Sequence, residues 1–151
     1  MINALVVEDE EDIRQLLVEE LEGKGYQVQE ASDGVIAIQR VREQLPDIIF
    51  VDVMLPVMDG FGLISKLRER KETAKIPVVL VTALNARDTE VRARRLGVKH
   101  HLTKPWEPWA LDFVLGQALK PDCFWSKEEP KYQVYPPKVA AASDLSGSRR
   151  R

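Results

Sequence analysis

Side chains of complementary chemistry stand at the ends of four strand-like runs in this sequence. "LVVEDE" ends in Glu8 and Asp9, "IIFVD" in Asp52, "VLVTA" in Thr82 and "LTKP" in Lys104. A carboxylate delivered by a run as apolar as Ile48-Ile49-Phe50-Val51 must be hydrated, paired or bound to a cation, because burying it alone is strongly unfavourable. The acidic run of residues 8–12, taken alone, reads as helix capping, with Asp9 or Glu10 near the N-cap and Glu11 and Asp12 favouring the helix dipole. That reading leaves Asp52 unexplained, since it belongs to a different run. Clustered carboxylates repel unless a hard divalent cation sits among them, and magnesium, with its oxygen ligands and retained waters, suits such a site. A strand-end threonine or lysine is ordinary by itself. Combined with a cation and a solvent-facing carboxylate, Thr82 and Lys104 complete the parts needed to transfer a phosphoryl group onto Asp52, the transition-state charge being spread over metal and ammonium.

The positioning elements follow from hydrophobic patterning. Strand-like runs occupy Ala4 to Val7, Gln27 to Ala31, Ile48 to Val51, Val78 to Val81 and His101 to Thr103. Three are apolar at nearly every position, as parallel strands covered on both faces should be. Helical stripes lie between and after them: Ile13, Leu16, Leu17 and Leu21; Ala37, Ile38, Val41 and Leu45; Phe61, Ile64 and Leu67; Val91 and Leu96 before Gly97; Leu111, Val114, Leu115 and Ala118. Strict β-α alternation with right-handed crossovers predicts an α/β, doubly wound, five-stranded parallel sheet of flavodoxin-like order 2-1-3-4-5, with helices on both faces. Its binding crevice lies beyond the first and third strands, where Glu8, Asp9 and Asp52 meet.

The 151 residues, 44% hydrophobic and 30% charged, suit one soluble globular domain with room for a tail. We expect the domain over residues 1–119 and a C-terminal tail or linker over 120–151, where proline and aromatic residues (Phe124, Trp125, Tyr132, Tyr135) replace periodic patterning. A formal net charge of -2 gives no global attraction to nucleic acid. Arg87, Arg92, Arg94, Arg95, Lys99 and His100 make one helix and its exit basic, a pattern read first as a solvated face, so no direct nucleic-acid binding is evident. The lone Cys123 excludes an internal disulfide, and neither a signal peptide nor a membrane span is apparent. A cytoplasmic location is the expectation.

"LVVEDE", "DVMLPVMDGFGLI", "PVVLVTA" and "LTKP", in this order and spacing, resemble the response-regulator receiver domain of two-component signalling, over roughly Met1 to Leu119. The resemblance implies that Asp52 accepts phosphate from a histidine kinase or histidine phosphotransfer protein, and that the domain catalyses only its own phosphorylation and dephosphorylation. It implies Mg2+ held by Asp9, Asp52 and the backbone carbonyl of Met54, with Glu8 assisting through water. Thr82 and Lys104 would contact the phosphoryl oxygens. Pro56, Asp59 and Gly60 match the family's turn, and the bond before Pro105 is expected to be cis. Met54 and Leu84 would flank the path of the attacking water. His101 stands where the family usually carries Tyr or Phe, and with Thr82 would switch partner binding on the face made by the fourth helix, fifth strand and fifth helix. The downstream protein is unidentified, and a phosphorylation-dependent homodimer is one form of output. An Asp-nucleophile phosphatase would place a second acid where Met54 stands, and a flavin carrier would need a phosphate loop where "EDEEDI" stands. A non-phosphorylated receiver-like interaction module, or a receiver fragment of a longer transcriptional regulator, stays open as an alternative.

Overall fold

The computed structural model describes residues 1–83 and 87–119. The strand-like runs form β1 (Asn3–Val7), β2 (Gln27–Ala31), β3 (Ile48–Asp52), β4 (Val78–Thr82) and β5 (His100–Thr103), all parallel in the order β2-β1-β3-β4-β5. The helices are α1 (Glu11–Gly23), α2 (Gly34–Glu43), α3 (Gly60–Glu69), α4 (Arg87–Arg95) and α5 (Pro108–Leu119). The expected topology is thus the observed one. Pairing runs one residue further than the apolar runs suggest in β3 and β4. Asp52 is in register with Val81 and Thr82 with Thr103, so both side chains start from paired, rigid backbone.

Alternation assigns the two faces of the sheet. Leu5, Val7, Ile49, Val51, Val78 and Leu80 join Ala37 and Val41 of α2, Phe61, Leu63, Ile64 and Leu67 of α3, and Ala93 of α4 in one buried cluster. Ala4, Val6, Ile48, Phe50, Val79 and Val81 point the other way and are buried too, and α1 packs along β1 and β2 with Leu17, Val18 and Leu21 inside. Asp33 caps α2 by accepting from the Ile36 N–H at 2.8 Å, and Asp59 caps α3 by accepting from the Gly62 N–H at 2.8 Å. At the end of the sheet away from Asp52, Arg68 Nε donates to the Leu96 carbonyl (3.0 Å) and its Nη1 to those of Ala74 (2.8 Å) and Ile76 (3.0 Å), joining two loops.

Three apolar positions differ from the patterning. Leu16 is half exposed and Val18 is buried in its stead, because the face that α1 turns to the sheet is rotated from its apolar stripe. Leu45 lies past the C-cap Gln44 of α2 and is half exposed, and in α4 the residue turned inward is Ala93 while Val91 faces out.

Packing divides the chain into two units. Met1–Pro105 carries the sheet with α1 to α4; Trp106–Arg151 carries α5, whose buried residues are Leu111, Val114, Leu115 and Ala118, the stripe read from the sequence. Among the described residues no helix is long and apolar enough to cross a membrane. Leu84, the Arg87 side chain and residues 120–151, including Cys123, Phe124, Trp125, Tyr132 and Tyr135, lie outside the described residues.

Candidate functional site

Parallel strands bring their C-terminal ends to one edge, and β1, β3 and β5 bring three kinds of side chain there. Glu8 follows β1 directly and Asp52 is the last residue of β3; they are 3% and 4% exposed. Asp9, the next residue, is exposed. One carboxylate oxygen from each of Glu8, Asp9 and Asp52 lies within 4.8 Å of the others. Lys104, just past β5, donates from Nζ to Glu8 Oε1 at 3.1 Å and to Asp52 Oδ2 at 3.3 Å. The other Asp52 oxygen, Oδ1, accepts from the Met54 N–H at 3.2 Å, so both oxygens of Asp52 are held from fixed directions. Glu8 Oε2 accepts from the Glu10 N–H at 3.2 Å.

The electrostatics follow from two buried acids, Glu8 and Asp52, sharing one ammonium. Burial pushes the Glu8 carboxyl up to about 7, its hydrogen bond with Asp52 and the charge of Asp52 push the same way, and the Glu10 N–H and Lys104 bonds oppose them. Burial alone would lower Lys104, but the charge of Asp52, then the hydrogen bond and charge of Glu8, outweigh it and raise its pKa. Three converging oxygen donors fit a hard divalent cation such as magnesium better than a soft metal.

Thr82 and His101 do not join this cluster. Thr82, 9% exposed, donates its hydroxyl to the Ala83 carbonyl at 2.8 Å, while its own carbonyl accepts from the Lys104 N–H at 2.7 Å and steadies the base of that side chain. The His101 ring lies beside α4, where Glu90 and Arg94 act on it, and its Nε2 is buried without a hydrogen-bond partner among the described residues. Burial lowers its pKa, Arg94 adding to that and Glu90 opposing it. The Lys104–Pro105 peptide is cis.

The loop after Asp52 is tightly built. The Met58 N–H donates to the Pro56 carbonyl across a three-residue turn centred on Val57, which has φ 68°, rare for a β-branched residue, and is 84% exposed. Gly60 donates to the Val53 carbonyl at 3.0 Å and lies so close to β3 that a Cβ there would fall 2.4 Å from the Asp52 carbonyl oxygen.

Patterning alone did not single out Arg14 and Glu30. Arg14 Nη1 donates to the Glu8 carbonyl at 2.9 Å and its Nε to Glu30 Oε1 at 2.9 Å, while Gln15 Nε2 donates to the same Glu30 oxygen at 3.1 Å. The available signal was an arginine four residues after Glu10, one helical turn into α1, where it can reach back to the strand end.

Residues 4–114 match the response regulator receiver domain family. Among curated relatives, the response regulator PleD of Caulobacter vibrioides is 44% identical over 101 residues, which are 67% of this chain and 22% of that protein. The Vibrio cholerae chemotaxis protein CheY4 has a similar structure, with a TM-score of 0.74 and 30% identity, covering 79% of this chain and 99% of that one. The receiver domain of the sensor histidine kinase PA1611 from Pseudomonas aeruginosa PAO1, solved with a magnesium ion coordinated in its active-site cleft, has a TM-score of 0.72 and 25% identity and covers 78% of this chain and 97% of that one. The chain spans between 22% and 45% of the length of the curated response regulators it matches.

Proposed function

The chain belongs to the response regulator receiver domain family, and from that premise we propose that it accepts a phosphoryl group on Asp52 from a histidine kinase or histidine phosphotransfer protein, in a magnesium-dependent reaction, and so switches a protein partner. The observation that carries the proposal is the Lys104 ammonium lying between Glu8 and Asp52, with the Asp9 carboxylate close by. Residues 1–119 are taken as the receiver.

Asp52 is the nucleophile. Its oxygens are held by the Met54 N–H and the Lys104 ammonium, so its rotamer is set before the donor arrives, and positioning is most of what phosphoryl transfer demands. The Asp52 Oδ–P bond forms as the N–P bond of the donor phosphohistidine breaks, and the freed imidazole leaves. Asp9, Asp52 and the Met54 carbonyl would hold the magnesium ion, with Glu8 acting through water, and when bound the ion neutralises charge on the transferring oxygens. Lys104 turns toward the new phosphoryl group. Thr82 trades its bond to the Ala83 carbonyl for a phosphoryl oxygen, and His101, beside α4, moves with it and changes the surface offered to a partner.

The test is labelling by a small phosphodonor with magnesium. Wild type is expected to carry one phosphoryl group on Asp52, and Asp52→Asn none. Stoichiometric label persisting in that variant at another residue would refute the assignment. Asp9→Ala should weaken magnesium binding while leaving the nucleophile in place.

A further inference from the structure

We infer that Arg14, oriented by Glu30, is a positioning residue for the divalent cation: it fixes the peptide between Glu8 and Asp9 and thereby sets magnesium affinity. This rests on the function proposed above. Among the described residues the Asp9 carboxylate makes no hydrogen bond or ion pair, so its main chain is what aims it at the site. That main chain is fastened on both sides of Glu8. The Glu8 N–H donates to the Ala31 carbonyl of β2 at 3.0 Å, and the Glu8 carbonyl, in the same peptide plane as the Asp9 nitrogen, accepts from Arg14 Nη1 at 2.9 Å.

Arg14 is itself held in place. Its side chain is 16% exposed, and its Nε is engaged at 2.9 Å by Glu30, whose oxygen is shared with Gln15 at 3.1 Å and whose carbonyl accepts from Arg40 Nε at 3.1 Å. The guanidinium fork spans a β2 carboxylate and the β1 strand end at once, which a single ammonium does poorly. The brace thus runs from α2 through β2 and α1 to the peptide that presents Asp9.

Two effects of Arg14 on a bound cation oppose each other, and their signs separate them. As a charge, Arg14 repels magnesium, so its removal would tighten binding; with Glu30 at 2.9 Å the pair is close to neutral, and this effect is small. As a brace, Arg14 restrains a ligand, so its removal weakens binding, and partners outside the ligand set typically contribute about 10–100-fold in metal affinity.

The experiment is a calorimetric magnesium titration of the unphosphorylated full chain, with a urea melt to confirm folding. Arg14→Gln is expected to raise the magnesium Kd roughly tenfold, the low end of that range. Arg14→Lys, which keeps the charge and disturbs the fold least, should raise it by a smaller factor, and Glu30→Gln should raise it too. Phosphorylation by a small donor at saturating magnesium should stay within about twofold of wild type, placing the defect in metal affinity and not in turnover. Unchanged or tighter magnesium binding by folded Arg14→Gln, with Asp9→Ala still losing it, would overturn the inference and leave the proposed function standing. If wild type binds no magnesium, or Asp9→Ala binds it equally well, the reading of the site fails and the inference with it.

Discussion

Gly60→Ala and Gly23→Ala add the same methyl group at two helix positions and are expected to move stability in opposite directions. At Gly60, the first residue of α3, the new Cβ would lie 2.4 Å from the Asp52 carbonyl oxygen and 2.9 Å from Val53 Cα, both backbone atoms. The contact is about 1 Å short of comfortable separation, so α3 must draw away from β3. Overpacking of this kind costs about 1–3 kcal/mol, and weakening the Gly60 N–H bond to Val53 adds about 0.5–1.5 kcal/mol. The helical preference for alanine returns at most about 1 kcal/mol. A net loss of about 2–3 kcal/mol follows, and with a urea slope of about 1–3 kcal/mol per molar the midpoint should fall by on the order of 1–2 M. At Gly23, the last residue of α1, no heavy atom lies within 4 Å of the new Cβ, so only propensity and chain entropy act, and stability should rise by about 0.5–1 kcal/mol. Urea unfolding of both variants with a shared slope decides the matter. Gly60→Ala should also accept phosphate more slowly, because the group displaced is the backbone of Asp52 itself. A Gly60→Ala midpoint indistinguishable from wild type, or a destabilised Gly23→Ala, would refute the packing on which the estimate rests.

Val57→Gly should stabilise the protein by roughly 0.5–1 kcal/mol in the same assay, since relieving a positive φ of 68° at a β-branched residue outweighs the added entropy of glycine in the unfolded chain. Met54, 78% exposed, cannot orient water by a strong hydrogen bond, so Met54→Asn should hasten loss of the phosphoryl group, by on the order of tenfold for about 1.4 kcal/mol off the barrier; equal decay rates by phosphate release would refute this. Burial lowers the pKa of His100, with Lys99 and His101 adding to it, and burial likewise lowers that of His101, so the folded state binds these protons less readily than the unfolded chain. Their contribution to stability is therefore unchanged above the ordinary value of 6.5 and is lost as pH falls from there through the lowered folded values. Glu8, raised to about 7, acts in the opposite sense, so the histidine part is read as the difference between wild type and His100→Gln/His101→Gln at each pH, and a difference that does not vary with pH would contradict the burial of both rings.

Much of the fold was legible because its strands declare themselves: five short strand-like runs, three of them apolar at nearly every position, with helical stripes between them leave few ways to build a parallel sheet. The strand-end residues were legible for the same reason, as a carboxylate closing Ile48-Ile49-Phe50-Val51 conflicts with its surroundings unless something compensates it. What escaped was set by geometry between distant segments. Whether Leu16 or Val18 of α1 turns inward depends on the helix's rotation against the sheet, which apolar spacing leaves uncertain by a residue. The Arg14 brace needs a partner on β2 and a carbonyl on β1, and the Arg68 fork needs three carbonyls from two loops; neither partner set has a composition to recognise. The positive φ of Val57 was invisible because nothing in its side chain asks for it, the turn being imposed by Pro56 and Met58 on either side. His101 was identified as a departure from a family pattern, but its buried, unpartnered Nε2 could be seen only with α4 in place.

The ammonium beside Glu8 and Asp52 comes from a residue 96 positions after the first acid and 52 after the second. A chain growing from its N-terminus therefore makes both acids well before the residue that supplies their counter-ion. Loop closure over such separations comes late in folding. An unfinished chain would hold Asp52 but lack the ammonium that engages its Oδ2, so the geometry of the site arrives with the last strand. The covalent order of the strands thus makes β5, last of the five, the element that completes the charge balance of the acidic site.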